Sequence, residues 1–265
     1  MLLGSIVLAT LSCSKDGLEK VDDVCTKMND IKFMEYCYNN FDVNKDGKVS
    51  MTEAAAVKTI DTKGCDQITS LDGIEYFTGL TELICNGNQL TSLNVSNQPE
   101  LKVLDCNYNQ ITQLDVSKNT ALTKLDCGMN AIPSLDISKN TALKSLRCDA
   151  NKIESLDISK NTLLTDLNCA SNLLTTLTLS GHPDIYGIMC YHNQITSLDL
   201  SETAWKGYTR YDIEYLQQKG EMTLYLTEEQ IQRICDGFNG IMYSDDRETI
   251  LNYIKQNYQI DIQKK

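Results

Sequence analysis

One pattern, repeated at a fixed interval, constrains this chain more than any other feature. Between residues 80 and 205 the motif L-x-x-L-x-C-x-x-N-x-I-x-x-L-D-x-S occurs six times, and each copy is 21 residues long. A unit of this length cannot bury its apolar face alone, so the copies must stack on one another. The pattern therefore predicts an elongated solenoid. The cysteines set its register and fall at Cys85, Cys106, Cys127, Cys148, Cys169 and Cys190.

Each copy is predicted to contain one short strand, because apolar and polar residues alternate around the cysteine. In the second copy this alternation places Leu104 and Cys106 in the core, whereas Val103 and Asp105 face the open side. Large apolar residues complete the core of each turn, and each contributes roughly 1.5 to 3 kcal/mol when it is fully buried. The sequence thus predicts a leucine-rich-repeat solenoid of the α/β class, with short parallel strands on its concave face.

The six repeat cysteines are interpreted as reduced, buried residues. Equivalent positions of adjacent coils lie about 4.8 Å apart with parallel Cβ vectors. The Cβ atoms of a disulfide approach to about 3.8 Å and point toward each other, so the ladder does not suit disulfides. The asparagines that follow each strand are expected to satisfy backbone groups of neighbouring coils. They are Asn88, Asn109, Asn130, Asn151, Asn172 and Asn193.

A separate signal lies at the amino terminus. Residues 1–12 are mostly apolar and lead to Cys13, after which the chain becomes polar. This start resembles a lipoprotein signal of the Bacteroidetes type, in which the cysteine is lipidated and acidic residues after it direct surface export. The resemblance implies a signal peptide over residues 1–12, a tether over residues 13–20, and an outer-membrane lipid anchor on Cys13. The alternative is a buried cysteine in an amphipathic start.

Residues 42–53 read D-V-N-K-D-G-K-V-S-M-T-E, which matches the twelve-residue EF-hand loop. The predicted cofactor is calcium, which we interpret as structural; the alternative is a solvated acidic turn. Its ligands would be the side chains of Asp42, Asn44, Asp46, Ser50 and Glu53 and the carbonyl oxygen of Lys48. Helical spacing lies before the loop (Val21, Val24, Met28, Ile31, Met34, Tyr38), and the segment from Met51 to Ile60 after it contains the helix-favouring run E-A-A-A-V-K. Together they predict an EF-hand-like helical cap over residues 21–66.

The cap, the joining segment L-D-G-I at residues 71–74 and the cysteine-containing repeats together resemble the internalins. The resemblance is to the 21-residue, cysteine-ladder branch typified by internalin J, and it covers about residues 35–205. It implies a surface-attached binding or adhesion role. The lipoprotein-type start differs from the cell-wall attachment of that family, and the carboxyl end lacks an obvious immunoglobulin-like module. Shared partners are therefore not implied.

Residues that break the repeat are the candidates for partner binding, because the framework explains those that obey it. Exposed aromatic residues, methionine and arginine are frequent anchors of protein interfaces. The alternative for the last copy is that it differs because it packs on the carboxyl-terminal segment. Carboxylates one coil apart could accept a cation, although a solvated acidic face is the simpler interpretation. The candidates are Asp105, Tyr108, Asp126, Arg147, Asp149, Tyr186, Met189, Tyr191 and His192.

Repetition stops at Trp205, so the repeats are assigned to residues 67–205 and a C-terminal α/β cap to residues 206–265. Residues 222–226 alternate like a strand, Thr227 and Gln230 form a capping box, and the run Ser244, Asp245, Asp246 opens a second helix. A terminal unit must cover the exposed end of a solenoid core. An independent binding module is the alternative.

The net charge of -12 argues against a nucleic-acid partner, which would attract lysine and arginine patches. Neither of the two histidines belongs to a recognisable catalytic motif, so we do not expect an enzyme. The sequence predicts an exported protein that faces the cell exterior and binds a protein or glycan on its concave face. The alternative is a structural or assembly scaffold of the cell envelope with no dedicated external ligand.

Overall fold

The computed structural model describes residues 25, 28–63, 65, 67–206, 210–242 and 246–265. Cys13 and the predicted signal peptide and tether lie outside these residues. The elements in chain order are α1 (Ile31–Phe41), α2 (Met51–Ala56), β1 (Thr59–Asp61), β2 (Glu82–Ile84), β3 (Leu93–Asn94), β4 (Val103–Asp105), β5 (Leu114–Asp115), β6 (Lys124–Asp126), β7 (Ser145–Arg147), β8 (Asp166–Asn168), β9 (Gly187–Met189), β10 (Ser197–Asp199), α3 (Arg210–Glu214), β11 (Met222–Leu226), α4 (Glu228–Met242), α5 (Arg247–Tyr258) and β12 (Ile260–Lys264).

The repeats form the predicted parallel solenoid of about six turns. Seven strands pair in the order β1-β2-β4-β6-β7-β8-β9, and each repeat strand advances the register by one 21-residue copy. The middle residue of each strand points inward, as Leu83, Leu104 and Leu125 do with none of their surface exposed. The alternation inferred from the sequence is therefore confirmed for the core, because successive side chains of a strand point to opposite faces.

The cysteine ladder lies inside this core. All six repeat cysteines are fully buried free thiols. Burial penalises the thiolate and raises the pKa of every one of them. For Cys190 the pKa rises to about 12, and a contact from the Gln218 amide opposes the effect of burial. The prediction of buried, reduced filler residues is confirmed.

The asparagine ladder ties each coil to the one before it. The Asn151 amide nitrogen donates to the carbonyl oxygens of Cys127 at 3.0 Å and Cys148 at 3.1 Å. Its oxygen accepts the backbone N–H of Ile132 at 2.9 Å. Asn109, Asn130, Asn172 and Asn193 repeat this arrangement. The predicted role of these residues is confirmed.

A second ladder, which the sequence analysis missed, runs along the return side. The Asn140 amide donates to the carbonyl oxygens of Val116 and Asn119, both at 2.9 Å, and Asn161 bonds the same two positions one coil later. Gln98 occupies the slot in the first copy, and the ring of His182 occupies it in the last, 3.0 Å from the Ile158 carbonyl oxygen. Its members are Gln98, Asn119, Asn140, Asn161 and His182, all at most 1% exposed.

The amino-terminal helices differ from the prediction. Helix α1 begins at Ile31, because the side chain of Asp30 caps it by accepting the N–H groups of Lys32 and Phe33. Phe33 is fully buried, whereas Ile31 is 66% exposed, so the predicted apolar face was wrong at Ile31.

The predicted helix after the loop is present and begins at Met51. It ends at Ala56, and Ile60 lies in β1, which pairs with β2 at the edge of the concave sheet. Ile60 is fully buried there opposite Leu83. The sheet therefore begins inside the segment that the sequence assigned to the cap.

The carboxyl-terminal segment adds a parallel three-stranded sheet, in the order β10-β11-β12. The predicted strand β11 is present, and Thr227 and Gln230 form the predicted capping box at the start of α4. Asp246 caps α5 by accepting the Thr249 N–H. Strand β12 was not predicted. Among the described residues, no helix combines the length and apolar character needed to cross a membrane.

Candidate partner-binding face and calcium loop

The outward side chains of the concave strands form rows that run across the coils. In one row the register pairs Asp105 with Asp126, then Arg147, Asn168 and Met189. Inward rows repeat leucine or cysteine, but this outward row changes residue type at nearly every coil. Stacking of the coils therefore dictates the inward residues of the strands, but not the residues on their concave side.

Arg147 lies at the centre of this face and covers an acidic pair. Its Nε lies 3.5 Å from Asp126 Oδ2 and 3.7 Å from Asp149 Oδ1. The Arg147 side chain is 49% exposed, whereas that of Asp126 is only 8% exposed. Asp126 also accepts the Gly128 N–H. Arg147 and the turn thus enclose the Asp126 carboxylate and leave little of it open to a partner. Asp126 as a partner contact stays a prediction.

Close packing around Asp149 depends on the glycine one coil earlier. A Cβ atom at position 128 would lie 2.9 Å from Asp149 Oδ1, closer than such atoms approach. Asn168 donates from its amide to the same carboxylate oxygen at 2.9 Å. Asp149 is therefore held in one orientation by a guanidinium on one side and an amide on the other.

Burial makes carboxylic acids of the concave face weaker acids than exposed ones. It raises the pKa of Asp105, and the neighbouring Asp126 charge acts in the same direction. Burial also raises the pKa of Asp149, while the Arg147 guanidinium opposes the effect. Among the residues that the structure describes, no three His, Cys, Asp or Glu side chains converge closely enough to hold a metal ion. Arg147 already pairs with Asp126, which leaves the carboxylates of Asp105 and Asp126 with less charge to offer a cation.

The last repeat packs on the segment that follows α3. The Cys190 N–H donates to the Tyr215 carbonyl oxygen, and the His192 N–H to that of Gln217, both at 2.9 Å. The Tyr191 ring lies 6.3 Å from that of Tyr215 and 5.0 Å from the His192 ring. For Tyr191 the structure favours packing over partner binding, which were the two open alternatives.

The side chain of Gln218 continues the asparagine ladder. Its amide donates to the Cys190 carbonyl oxygen at 3.0 Å, and its oxygen accepts the Ile195 N–H at 3.3 Å. Residues 215–219 thus complete one further turn.

Tyr186 remains 61% exposed, and Met189 is half-buried at the end of the concave row.

The loop of residues 42–53 connects α1 to α2 and is held by its own carboxylates. Asp42 accepts the N–H groups of Asp46 at 3.2 Å and Gly47 at 2.9 Å, and Asn44 accepts that of Asp46 at 2.9 Å. Gly47 has φ of 83°, which glycine adopts without steric penalty. Asp46 in turn accepts the Lys48 N–H at 3.0 Å.

Glu53, the last residue of this loop, reaches back to its start. One carboxylate oxygen accepts the Val43 N–H at 2.9 Å, and the other accepts the N–H and hydroxyl of Ser50, both at 2.9 Å. These bonds lower the pKa of Glu53, the Ser50 backbone bond most strongly. The donor set consists of the hard oxygens that calcium prefers, and the first and last ligand positions adjoin. The carboxylates do not converge on one point here.

The comparisons with known proteins identify the fold. No protein-family model and no curated protein matches the chain. A leucine-rich-repeat protein of Leptospira interrogans has a TM-score of 0.58 at 18% identity, over 80% of this chain and 62% of its own. Internalin C2 of Listeria monocytogenes has a TM-score of 0.50 at 20% identity, over 63% of this chain and 86% of its own.

The functional domain of internalin J from Listeria monocytogenes, which includes a cysteine ladder, is 29% identical over 68% of this chain, with a TM-score of 0.40. This chain spans about half of that domain, 51% of its length. The repeat and the parallel solenoid agree with these likenesses. The chain has the leucine-rich-repeat fold, which it shares with the Leptospira protein and with internalin C2.

Proposed function

We propose that this chain is a surface-displayed binding or adhesion protein whose concave face holds a protein or glycan partner. The observation that carries the proposal is the outward row from Asp105 to Met189, which varies from coil to coil while the buried rows repeat. The half-exposed Arg147 stands in this row on an acidic support, which limits the side-chain freedom lost on binding.

The test is capture of a partner by the calcium-loaded chain from arrays of host and microbial proteins and glycans. Arg147→Ser and Met189→Ala should each weaken capture about 10-fold, since a lost anchor costs more than about 1 kcal/mol. Lys139→Ser is the control, because Lys139 is exposed in the return segment. If all three variants captured the partner as well as the parent does, the concave site would be refuted and the structural scaffold favoured.

We also propose that residues 42–53 bind calcium and that the ion is structural. The side chains of Asp42, Asn44, Asp46, Ser50 and Glu53 and the carbonyl oxygen of Lys48 would hold it. The support is the oxygen-only donor set and the return of Glu53 to the start of the loop. An ion that binds only the folded state stabilises it.

Calcium should therefore raise the melting temperature above that measured in chelator, and Glu53→Gln should abolish this shift. Glu35→Gln provides the matched control, because Glu35 is an exposed glutamate on α1. A parent protein that melts at the same temperature in calcium and in chelator would refute the site.

The lipid anchor rests on the sequence around Cys13. We propose that Cys13 carries acyl chains that hold the protein at the outer membrane. Metabolic labelling with an alkyne fatty acid in the native host should label the parent but not Cys13→Ser, and protease treatment of intact cells tests which side the protein faces. Equal labelling of the two would contradict lipidation at this residue.

A further inference from the structure

A row of backbone positions just after the concave strands adopts the left-handed conformation. The equivalent residue in each copy has φ between 50° and 69°. Glycine takes this conformation freely, whereas other residues meet a steric penalty. The first copy does contain glycine, at Gly87, and the other five carry a side chain in spite of the penalty. They are Tyr108, Met129, Ala150, Ser171 and His192.

Two of these side chains are large and project into solvent. Tyr108 is 65% exposed and Met129 is 52% exposed, and they occupy neighbouring coils. A large apolar side chain gains nothing from exposure to solvent, and the left-handed backbone disfavours any residue that has a side chain. Core packing therefore does not explain Tyr108 and Met129. Strained positions with exposed apolar side chains are typical of binding sites, where the side chain serves a ligand.

The two residues line one shallow groove of about 830 Å³. Gly87 and Ala150 are its small members, and the rest of the lining consists of six side-chain amides. Among the residues that the structure describes, no charged residue lines the groove, although the chain carries 36 acidic and 24 basic residues. The groove is thus an electrically neutral, amide-rich surface next to the acidic concave face.

Two of the amides are positioned for a ligand. The asparagines of the groove are committed to the ladder between coils, as Asn109 shows by bonding Cys85, Cys106 and Leu90. Gln89 and Gln110 are exposed and one coil apart. In the described part of the chain, neither forms a hydrogen bond through its side chain. Each can donate and accept at once.

We propose that this groove binds a neutral oligosaccharide. A sugar ring has one face of C–H groups, which stacks on Tyr108 beside Met129, and hydroxyl groups that both donate to and accept from Gln89 and Gln110. The uncharged lining offers no partner to an anionic sugar. A basic peptide would be drawn instead to the carboxylates of the concave strands. The inference rests on the proposed binding function, and it names the class of ligand that the part of the binding surface around Tyr108 would hold.

The test uses a panel of neutral hexasaccharides of glucose, mannose, galactose, xylose and N-acetylglucosamine, with a sulfated hexasaccharide as the charged comparison. Binding is measured by titration calorimetry and saturation-transfer NMR. At least one neutral member should bind. Tyr108→Ala and the double variant Gln89→Ala with Gln110→Ala should weaken it at least 10-fold, whereas Tyr108→Phe retains most of the affinity.

Tyr108→Gly separates function from packing. Glycine relieves the backbone at φ 53°, so this variant should lose the sugar while its denaturation midpoint stays the same or rises. A lower midpoint would show that the tyrosine serves packing and would overturn the inference.

The inference is equally overturned if no neutral member binds, if the sulfated sugar binds better, or if Tyr108→Ala binds as the parent does. Arg147→Ser should leave sugar binding intact. Capture of a protein that needs Arg147 but not Tyr108 would support the concave site and reject the sugar groove.

Discussion

Replacing a central member of the asparagine ladder tests how the coils are held together. In Asn151→Ala the Ile132 N–H loses its acceptor at 2.9 Å, and it has no other in the described structure. The Cys127 and Cys148 carbonyl oxygens each keep one amide donor, from Asn130 and Asn172.

The cost can be assembled from these contacts. An orphaned buried N–H costs about 1 to 3 kcal/mol, and each lost second hydrogen bond about 0.5 to 1.5 kcal/mol. With one orphaned N–H and two carbonyl oxygens affected, these ranges amount to about 2 to 6 kcal/mol, and we expect Asn151→Ala to lower the free energy of unfolding by about 4 kcal/mol. The carbonyl oxygen of Asp149 adds little, because the Asn151 amide has two hydrogens for three carbonyl oxygens and the contact with Asp149, at 3.2 Å, is the longest of the three.

Urea denaturation gives this free energy by linear extrapolation. Far-UV circular dichroism reports the whole stack, and the fluorescence of the only tryptophan, the buried Trp205, reports its carboxyl end. Lys152→Ala is the matched control on the next, exposed position and should change stability by no more than about 0.5 kcal/mol. A loss below about 1 kcal/mol for Asn151→Ala would refute the argument that the ladder amide is required for stacking.

Three further outcomes are expected. In the folded Cys13→Ser variant, a thiol reagent should modify the partly exposed Cys65 first. The six ladder cysteines should react only after unfolding, because burial raises their pKa. Rapid labelling of the ladder cysteines in the folded protein would contradict this. Asn140→His should be tolerated far better than Asn140→Asp in thermal melts. The side-chain oxygen of Asn140 accepts no hydrogen bond from the described residues, so the slot needs only a donor, as His182 supplies in the last copy. Asp105→Asn should stabilise the protein at neutral pH, since the folded state raises the pKa of Asp105 and so disfavours its charged form. That gain should shrink as the pH falls from the raised pKa of the folded state to the lower pKa of the unfolded chain, below which both states bind the proton. A pH-independent gain would point to another cause.

The repeat predicted the parts of the fold that depend on local pattern. A 21-residue period with alternating apolar residues was enough to place Leu104 and Cys106 in the core and Asn109 at the turn. The second ladder was visible in principle, because Gln98, Asn119 and His182 stand at multiples of 21 residues. It was missed because the slot changes residue type at both ends and its asparagines lie in a polar stretch that resembles an exposed turn.

The elements at the ends of the solenoid were harder to predict. Strand β1 has three residues and pairs only because the edge of β2 is open to it. Strand β12 pairs with β11 in the same way, although 33 residues separate Leu226 from Ile260 along the chain. Neither strand has a periodic pattern in its own sequence. Each is a strand because it pairs with a neighbouring strand.

By itself the sequence determined the solenoid, the register of its coils and the residues that fill its core. These follow from one repeated pattern, because every copy must bury the same face against its neighbour. Only the tertiary structure decided which of the irregular residues reach solvent. It enclosed Asp126 beneath Arg147 and turned Tyr191 toward Tyr215. It left Tyr108 beside two glutamines whose side chains form no hydrogen bond within the described part of the chain. Exposure depends on what the adjacent coil places alongside a residue, and that neighbour is about 21 residues away in the chain.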